Sequence, residues 1–447
     1  MKKSEGEKFT DYLEEQEVKT LEPYALKSRQ RREHLGEQFR KSPTISRLEF
    51  RTEYHRDRDR IVWSKTFKRL QHKTQIFPHY VEDHYKRRLT HSLEVAQIAT
   101  TIARALKLNE TATEAIALGH DLGHTPFGHA GERALNKILS GKSEKVKIKT
   151  KDGCPIPIFG FDHCVHGIEV VSRIEKEYGS ETQSGGLNLT FDIRDGILKH
   201  MYEREHDKDR PYSNLPHVVK FPEYKMYGDN KSSLEAQCVH FADKVAYLLG
   251  DIEDGLLSNI LQCEELRGDT FFVDELCPRY KQYRKGNLEL RKKEDFVFFR
   301  SNTLTTLILD CIDNATKKIK KIGFKNVDEV LSCKQRIVFV SDDLEKAWNT
   351  LYDKWMRDRL FENELVRACS FKAEKIVTDL FKAYLEDESL IKKTYREHCR
   401  NSYQDIYDSD KNLLELILVR NYIAGMTDAF ATNQHTRLYI SSERIRL

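Results

Sequence analysis

Between Gly119 and Glu132 the chain sets His120, His124 and His129 and the carboxylates Asp121 and Glu132 into a segment otherwise made of small, apolar and turn-forming residues. Such a segment cannot fold as plain core. Each buried imidazole or carboxylate loses hydration, and crowding them together lowers that cost only if positive charge lies between them. A divalent cation is the usual solution. The fold must then bring further ligands to this place from elsewhere in the chain.

Those ligands have a helical scaffold to sit on. From Thr90 to Leu106, Val95, Ile98, Ala99, Ile102 and Leu106 keep the i, i+3, i+4 rhythm of an amphipathic helix. A second buried helix is expected from Thr111 to Leu118, opening into the Gly-rich segment, and a third from about Ser232 to Leu257. Long amphipathic stretches recur at Glu364–Leu385 and Asn412–Phe430. Val146 to Thr150 alternates and Asp152-Gly153 offers a tight turn, so a small β-hairpin is expected near 145–158. The class is mainly α. Three regions are expected: a charged, solvated N-terminal arm over 1–45, a catalytic core over 46–265, and a helical C-terminal region over 266–447 packing on that core.

Composition removes several alternatives. At 447 residues, with 39% hydrophobic and 33% charged side chains, the chain can bury a large core in water. The formal charge of +4 is too small for a strongly basic whole-protein field. No run of about 18 apolar residues is present, so no membrane span is expected. The cysteines are odd in number, scattered and without a CxxC pair, which fits reduced thiols in a cytoplasmic setting.

His91 lies on the inward face of the first helix with Val95, Ile98 and Ile102. A lone histidine there is usually a satisfied core residue. His120 and Asp121 are neighbours at a helix end; side chains of adjacent helical residues diverge by about 100°, so one ion reaches both only from beyond that end. Asp243 falls within the third helix, where an unpaired buried carboxylate is expensive. Taken together, His91, His120, Asp121 and Asp243 supply two imidazoles and two carboxylates. This mixed donor set suits Mn²⁺ or Mg²⁺ first, with Fe²⁺, Co²⁺ or Zn²⁺ also admissible.

At this point the sequence resembles the HD-domain metal phosphohydrolases, and among them the deoxyguanosinetriphosphate triphosphohydrolase-like (dNTPase) family. The likeness runs through Arg56–Ile61, Phe67–Gln75, Arg88–Val95, the segment 119–132, Gly186–Thr190, Gly196–His200, Ala242–Tyr247 and Tyr422–Asp428. It is dense over 50–260 and looser beyond. The resemblance implies an HD helical core with one divalent metal per site. It also implies hydrolysis of deoxynucleoside triphosphates to deoxynucleoside and inorganic triphosphate, with dGTP a candidate favoured substrate.

Site roles follow from the same resemblance. His129 and Glu132 would activate water; their i, i+3 spacing lets the carboxylate orient the imidazole. His163 would protonate the leaving 5′-oxygen. Arg88 and Lys244 would bind the triphosphate, which carries roughly four negative charges. Tyr247 would stack under the deoxyribose, with Asp251 and Gln75 reading its 3′-hydroxyl. Each has a plainer alternative: a helix-cap partner for Glu132, a surface histidine for His163, a solvent-facing lysine for Lys244, a surface ion pair for Asp251 and Asp254. Arg58, Arg60, Arg69 and Lys73 form a basic stretch to which no phosphate contact is assigned.

The chain departs from the family at Cys164-Val165-His166, where many relatives carry Asn-x-Gln, and at Gly250, where a histidine is common. Both positions are expected to shape the sugar or base side of the pocket, so the guanine label is weaker than hydrolysis itself. The family implies a homo-oligomer, a hexamer among the options, and a nucleotide effector; single-stranded nucleic acid has slight support from basic surface. Competing readings are an HD phosphohydrolase acting on another nucleotide, and a nucleotide- or nucleic-acid-binding regulator with an inactive site.

Overall fold

The structure is a computed structural model and describes residues 5–40, 50–75, 86–146, 160–175, 186–200, 231–262, 292–408 and 410–440. Among these residues the chain is helical, with no strand. The expected hairpin falls almost wholly on 147–159, outside the described residues. No described helix is long and apolar enough to cross a membrane.

The helices that position the site are α1 (Glu5–Thr20), α2 (Ser28–Leu35), α3 (Glu53–Trp63), α4 (Arg88–Ala105), α5 (Glu110–Gly119) and α6 (Gly128–Leu139). They continue as α7 (His163–Glu169), α8 (Phe191–Lys199), α9 (Leu234–Leu257), α10 (Glu364–Glu386), α11 (Lys411–Ala424) and α12 (Asp428–Tyr439). Helix α4 packs against both α5 and α9, and α5 also meets α3 and α8. The periodic residues Val95, Ile98, Ala99, Ile102 and Leu106 are all buried, each large one contributing about 1.5–3 kcal/mol. Start signals are local. Asn109 accepts from Ala112 N at 3.0 Å ahead of α5, and Ser233 accepts from Ala236 N at 3.2 Å ahead of α9.

Two expectations need correcting. The N-terminal segment is not a solvated arm. Ala25 and Leu26 are buried, Leu26 N donates to Glu235 at 2.8 Å, and Arg31 grips Asp192 in α8 through two nitrogens at 2.7 and 3.0 Å. Charge density suggested solvation because sequence cannot show that its partners, Asp192 and Glu235, lie far along the chain. Likewise Asn412–Phe430 is not one helix: α11 ends at Ala424, and Thr427 caps α12 by accepting from Phe430 N at 3.3 Å. The Gly425-Met426-Thr427 break frees Asp428 for a different task, described below.

Helix α10 lies against α6 and also touches α11 and α12. The second half of the chain thereby reaches the loop that carries the histidine cluster.

Candidate active site

Helices α4, α5 and α9 converge where α5 runs out. Gly119 ends α5, and His120 projects from its C-cap with Nδ1–H donated to the Ala117 carbonyl at 2.6 Å. That bond fixes the tautomer and leaves the Nε2 lone pair pointing inward. His120 Nε2 is buried with no hydrogen-bond partner. Around it, His91 Nε2 meets Asp243 Oδ1 at 2.8 Å, Asp243 Oδ1 lies 3.7 Å from His120 Nε2, and Asp121 Oδ1 lies 3.4 Å from it.

The donor atoms of His91, His120 and Asp243 all fall within 4.8 Å of one another. Asp121 stands at the edge of this group. Its carboxylate takes Arg88 Nη1 at 3.0 Å and His124 Nε2 at 3.0 Å. Burial alone would raise both acids. Instead His120, Arg88 and His124 hold Asp121 well below the usual carboxylate range, and His91 and His120 do the same for Asp243. Two ionised carboxylates beside an orphaned buried imidazole nitrogen are a donor set that fits a divalent cation.

The loop after Asp121 is held by close packing and an unusual backbone. A Cβ at Gly123 would lie 1.9 Å from the His163 carbonyl oxygen, so only glycine lets α7 come this near. Phe127 adopts φ +61° and Gly128 φ +56°, a left-handed pair that starts α6. Asp428 from α12 stabilises that turn by accepting from Phe127 N at 2.8 Å.

Helix α6 then presents His129 and Glu132 on one face. Glu132 bridges two imidazoles: Oε2 meets His129 Nδ1 at 3.2 Å and Oε1 meets His163 Nδ1 at 2.9 Å. It also accepts from the His163 backbone N at 3.1 Å, fixing the start of α7. The two imidazoles are pushed apart in basicity. Withdrawal from bulk water lowers His129 despite Glu132, so it is neutral near pH 7. Burial also works against a charged His163, but the adjacent Cys164 sulfur and the Glu132 carboxylate outweigh it and hold that imidazole well above the usual histidine range. A lowered and a raised imidazole share one carboxylate.

These groups open onto a cavity of about 880 Å³. Gln75, Arg88, Lys244 and Tyr247 line it together with His129 and His163. Arg88 Nε and Nη2 and Gln75 Oε1 are buried without hydrogen-bond partners. Lys244 Nζ sits 5.2 Å over the Phe339 ring. Asp251 lies a turn beneath Tyr247, fully buried and outside the cavity lining; burial, then Asp254, raises its carboxyl well above the usual range.

The basic stretch is structural. Arg60 donates to the Leu187 and Asn188 carbonyls, Arg69 to Gly425, and Lys73 to Ala424 and His124. The two family departures do not line the cavity either, against expectation. His166 donates Nδ1–H to the Gly123 carbonyl at 2.8 Å, bracing the loop. Gly250 leaves room for the Lys86 side chain, which crosses over it to pair with Glu94.

Sequence reasoning placed His124 in the cluster but gave it no role; it stacks on His163 at 3.8 Å between ring centroids while bonding Asp121. Its i+3 spacing from Asp121 was the available signal. Sequence reasoning missed the far wall of the cavity, where Arg336, Phe339, Tyr352, Phe361 and Lys372 come from the second half. No motif marks them.

Comparison with known proteins agrees with this geometry. A family model for the HD domain matches residues 88–248, and one for the phosphohydrolase-associated domain matches 338–437. Proteins described as deoxyguanosinetriphosphate triphosphohydrolase-like align over most of the chain. The one from Ralstonia pickettii is 35% identical over 94% of both chains, and that from Geobacter sulfurreducens is 34% identical over 88% of this chain and 90% of its own. The one from Bordetella pertussis is 36% identical over 88% of this chain and 91% of its own.

Proposed function

The chain belongs to the family of HD-domain, deoxyguanosinetriphosphate triphosphohydrolase-like proteins, and we propose that it hydrolyses deoxynucleoside triphosphates to deoxynucleoside and inorganic triphosphate. The observation that carries this reading is the Glu132 bridge between a lowered and a raised imidazole, placed beside the His91–His120–Asp243 cluster in one cavity. A divalent ion, Mn²⁺ or Mg²⁺ by its donor set, would be held by His91, His120 and Asp243 with Asp121 beside them, and would supply positive charge at phosphate oxygens and acidify nearby water.

The chain's own residues do the rest. His129, neutral and partly open to the cavity, takes a proton from the attacking water, while Glu132 fixes its ring and stabilises the charge it gains. His163, already protonated, gives its proton to the 5′-oxygen as the bond to the α-phosphorus breaks. Arg88 has two guanidinium nitrogens without protein partners, which suits it to phosphate oxygens. Lys244 adds a second cation to the cavity lining. Tyr247 lies against the deoxyribose; a ring packed there leaves no room for a 2′-hydroxyl and so selects deoxy substrates. Asp251 stands behind it, and Gln75 offers an amide to the 3′-hydroxyl.

The decisive experiment incubates the full chain with each of four dNTPs and four NTPs in Mg²⁺, Mn²⁺ or Co²⁺, singly and mixed, and identifies products by mass spectrometry. Inorganic triphosphate and deoxynucleoside are expected from dNTPs alone. Pyrophosphate, monophosphate products or turnover only of other phosphoesters would replace this reading with another HD phosphohydrolase activity. Nucleotide binding without turnover in metal-loaded protein would replace it with a regulator.

A further inference from the structure

Behind His129 and Glu132 lies a second cluster, of which the reaction above uses only His163. Cys164 Sγ sits 3.5 Å from His163 Nε2 and 4.0 Å from His200 Nε2. All three side chains are buried: His163 is 2% exposed, Cys164 5% and His200 1%. Their donor atoms lie within 4.8 Å of one another, with no atom of the His91–His120–Asp243 cluster among them.

Both imidazoles are set in one tautomer by their other nitrogen. His163 Nδ1 bonds Glu132 Oε1 at 2.9 Å, and His200 Nδ1–H donates to the Ile197 carbonyl at 2.6 Å. With Nδ1 so engaged, His200, and His163 once it gives up its Nε2 proton, turn an Nε2 lone pair toward the sulfur. Carboxylate and backbone-carbonyl support of this kind is what orients metal-binding histidines. The separations also fit. Bonds of about 2.0–2.1 Å to nitrogen and about 2.3 Å to sulfur place tetrahedral neighbours roughly 3.5 Å apart.

We propose that His163, Cys164 and His200 form a second metal site, selective for thiophilic divalent ions of the Zn²⁺ class, whose occupation switches the enzyme off. Two nitrogens and one thiolate are a softer set than the nitrogen–carboxylate cluster next door, so the two sites sort different ions. Binding needs Cys164 as the thiolate and His163 neutral at Nε2, so proton release to solvent accompanies uptake of the ion. The site stands on geometry alone. Its inhibitory effect rests on the reading of His163 given above: a metal on Nε2 removes the atom that would protonate the leaving group.

Co²⁺ added to the metal-free full chain tests the site directly, because only a thiolate ligand gives an intense near-ultraviolet sulfur-to-cobalt band. Wild type is expected to develop that band, and Cys164→Ser and His200→Gln to lose it while melting cooperatively and still taking up Co²⁺ at the other cluster. Absence of the band in wild type, or its full retention in Cys164→Ser, would overturn the site. In a second arm, Zn²⁺ is titrated against Mn²⁺-supported dNTP turnover, each protein scaled to its own uninhibited rate. Cys164→Ser should need about tenfold more Zn²⁺ or above for half-inhibition. Equal sensitivity with a normal cobalt band would reject inhibition while leaving the site. A normal band in a protein that turns over no dNTP would leave the site standing and reject the hydrolase reading.

Discussion

In the proposed reaction Glu132 is the residue on which the chemistry turns, because one carboxylate touches both imidazoles. Together with the Cys164 sulfur it raises His163, through a 2.9 Å contact, and it orients His129 at 3.2 Å. His129→Ala and His163→Ala are each expected to keep the bound metal, since neither belongs to the His91–His120–Asp243 cluster, and to lose about 10²–10⁴-fold in kcat. Metal content by mass spectrometry beside turnover checks both; unchanged turnover in either removes that residue from the mechanism. The pH profile carries the sign. His163 is raised, so activity falls on the alkaline side as it deprotonates; His129 is lowered, so the acid limb lies below the ordinary histidine range. Glu132→Gln removes the negative charge supporting His163, and its alkaline limb should move toward lower pH. A limb that stays in place would mean that Glu132 does not set the acid. His120→Ala, by contrast, should lose metal and activity together, because its Nε2 is the orphaned nitrogen at the centre of the cluster.

At the scale of elements, Glu235 ties the N-terminal segment to the core. Its Oε1 accepts from Leu26 N at 2.8 Å and Asn109 N at 3.1 Å. Burial raises its carboxyl from an ordinary 4.5 to about 7. The folded state therefore favours the neutral acid, and the contribution of Glu235 to stability is fully present below about pH 4.5 and is lost as pH rises to about 7. The loss amounts to roughly 3 kcal/mol. Gln at 235 can still accept both bonds through its carbonyl, so Glu235→Gln should melt at a higher temperature than wild type at pH 8 and match it near pH 5. Parallel melting curves across that range would refute the linkage. This latch also marks where sequence stopped informing. Periodicity gave α4, α5 and α9 to within a few residues, because a buried stripe recurs every 3.6 residues whatever it packs against. It could not pair Glu235 with Leu26, since a charged N-terminus reads the same whether solvated or docked. The convergence of His91, His120 and Asp243 was legible for the same local reason as the helices: each sits on an inward face or a helix end. The far wall was not: Arg336 comes from a non-helical stretch without periodicity, and the helix that carries Lys372 announces a face and not its neighbour.

At the scale of the whole molecule, the second half of the chain acts as the clamp that shapes the catalytic loop. Asp428 Oδ2 accepts from Thr74 N at 2.8 Å and from the Thr74 hydroxyl, while Oδ1 accepts from Phe127 N at 2.8 Å. One buried carboxylate of α12 thus holds the segment leading to Gln75 and the left-handed turn leading to His129. Lys73 reinforces it by donating to the Ala424 and His124 carbonyls. Truncation by Asp428→Ala leaves two backbone N–H groups unpaired in the interior, at about 1–3 kcal/mol each. Asp428→Asn is no rescue, because one oxygen becomes an amide nitrogen that faces an N–H donor. Both variants should therefore melt lower, retain metal at His91, His120 and Asp243, and lose kcat by about 10²-fold through displacement of His129 relative to the cluster. Turnover measured at saturating dNTP, well below the melting temperature, separates loosened geometry from unfolding. Wild-type kcat in a destabilised Asp428→Ala would mean that α12 supports the fold without shaping the site.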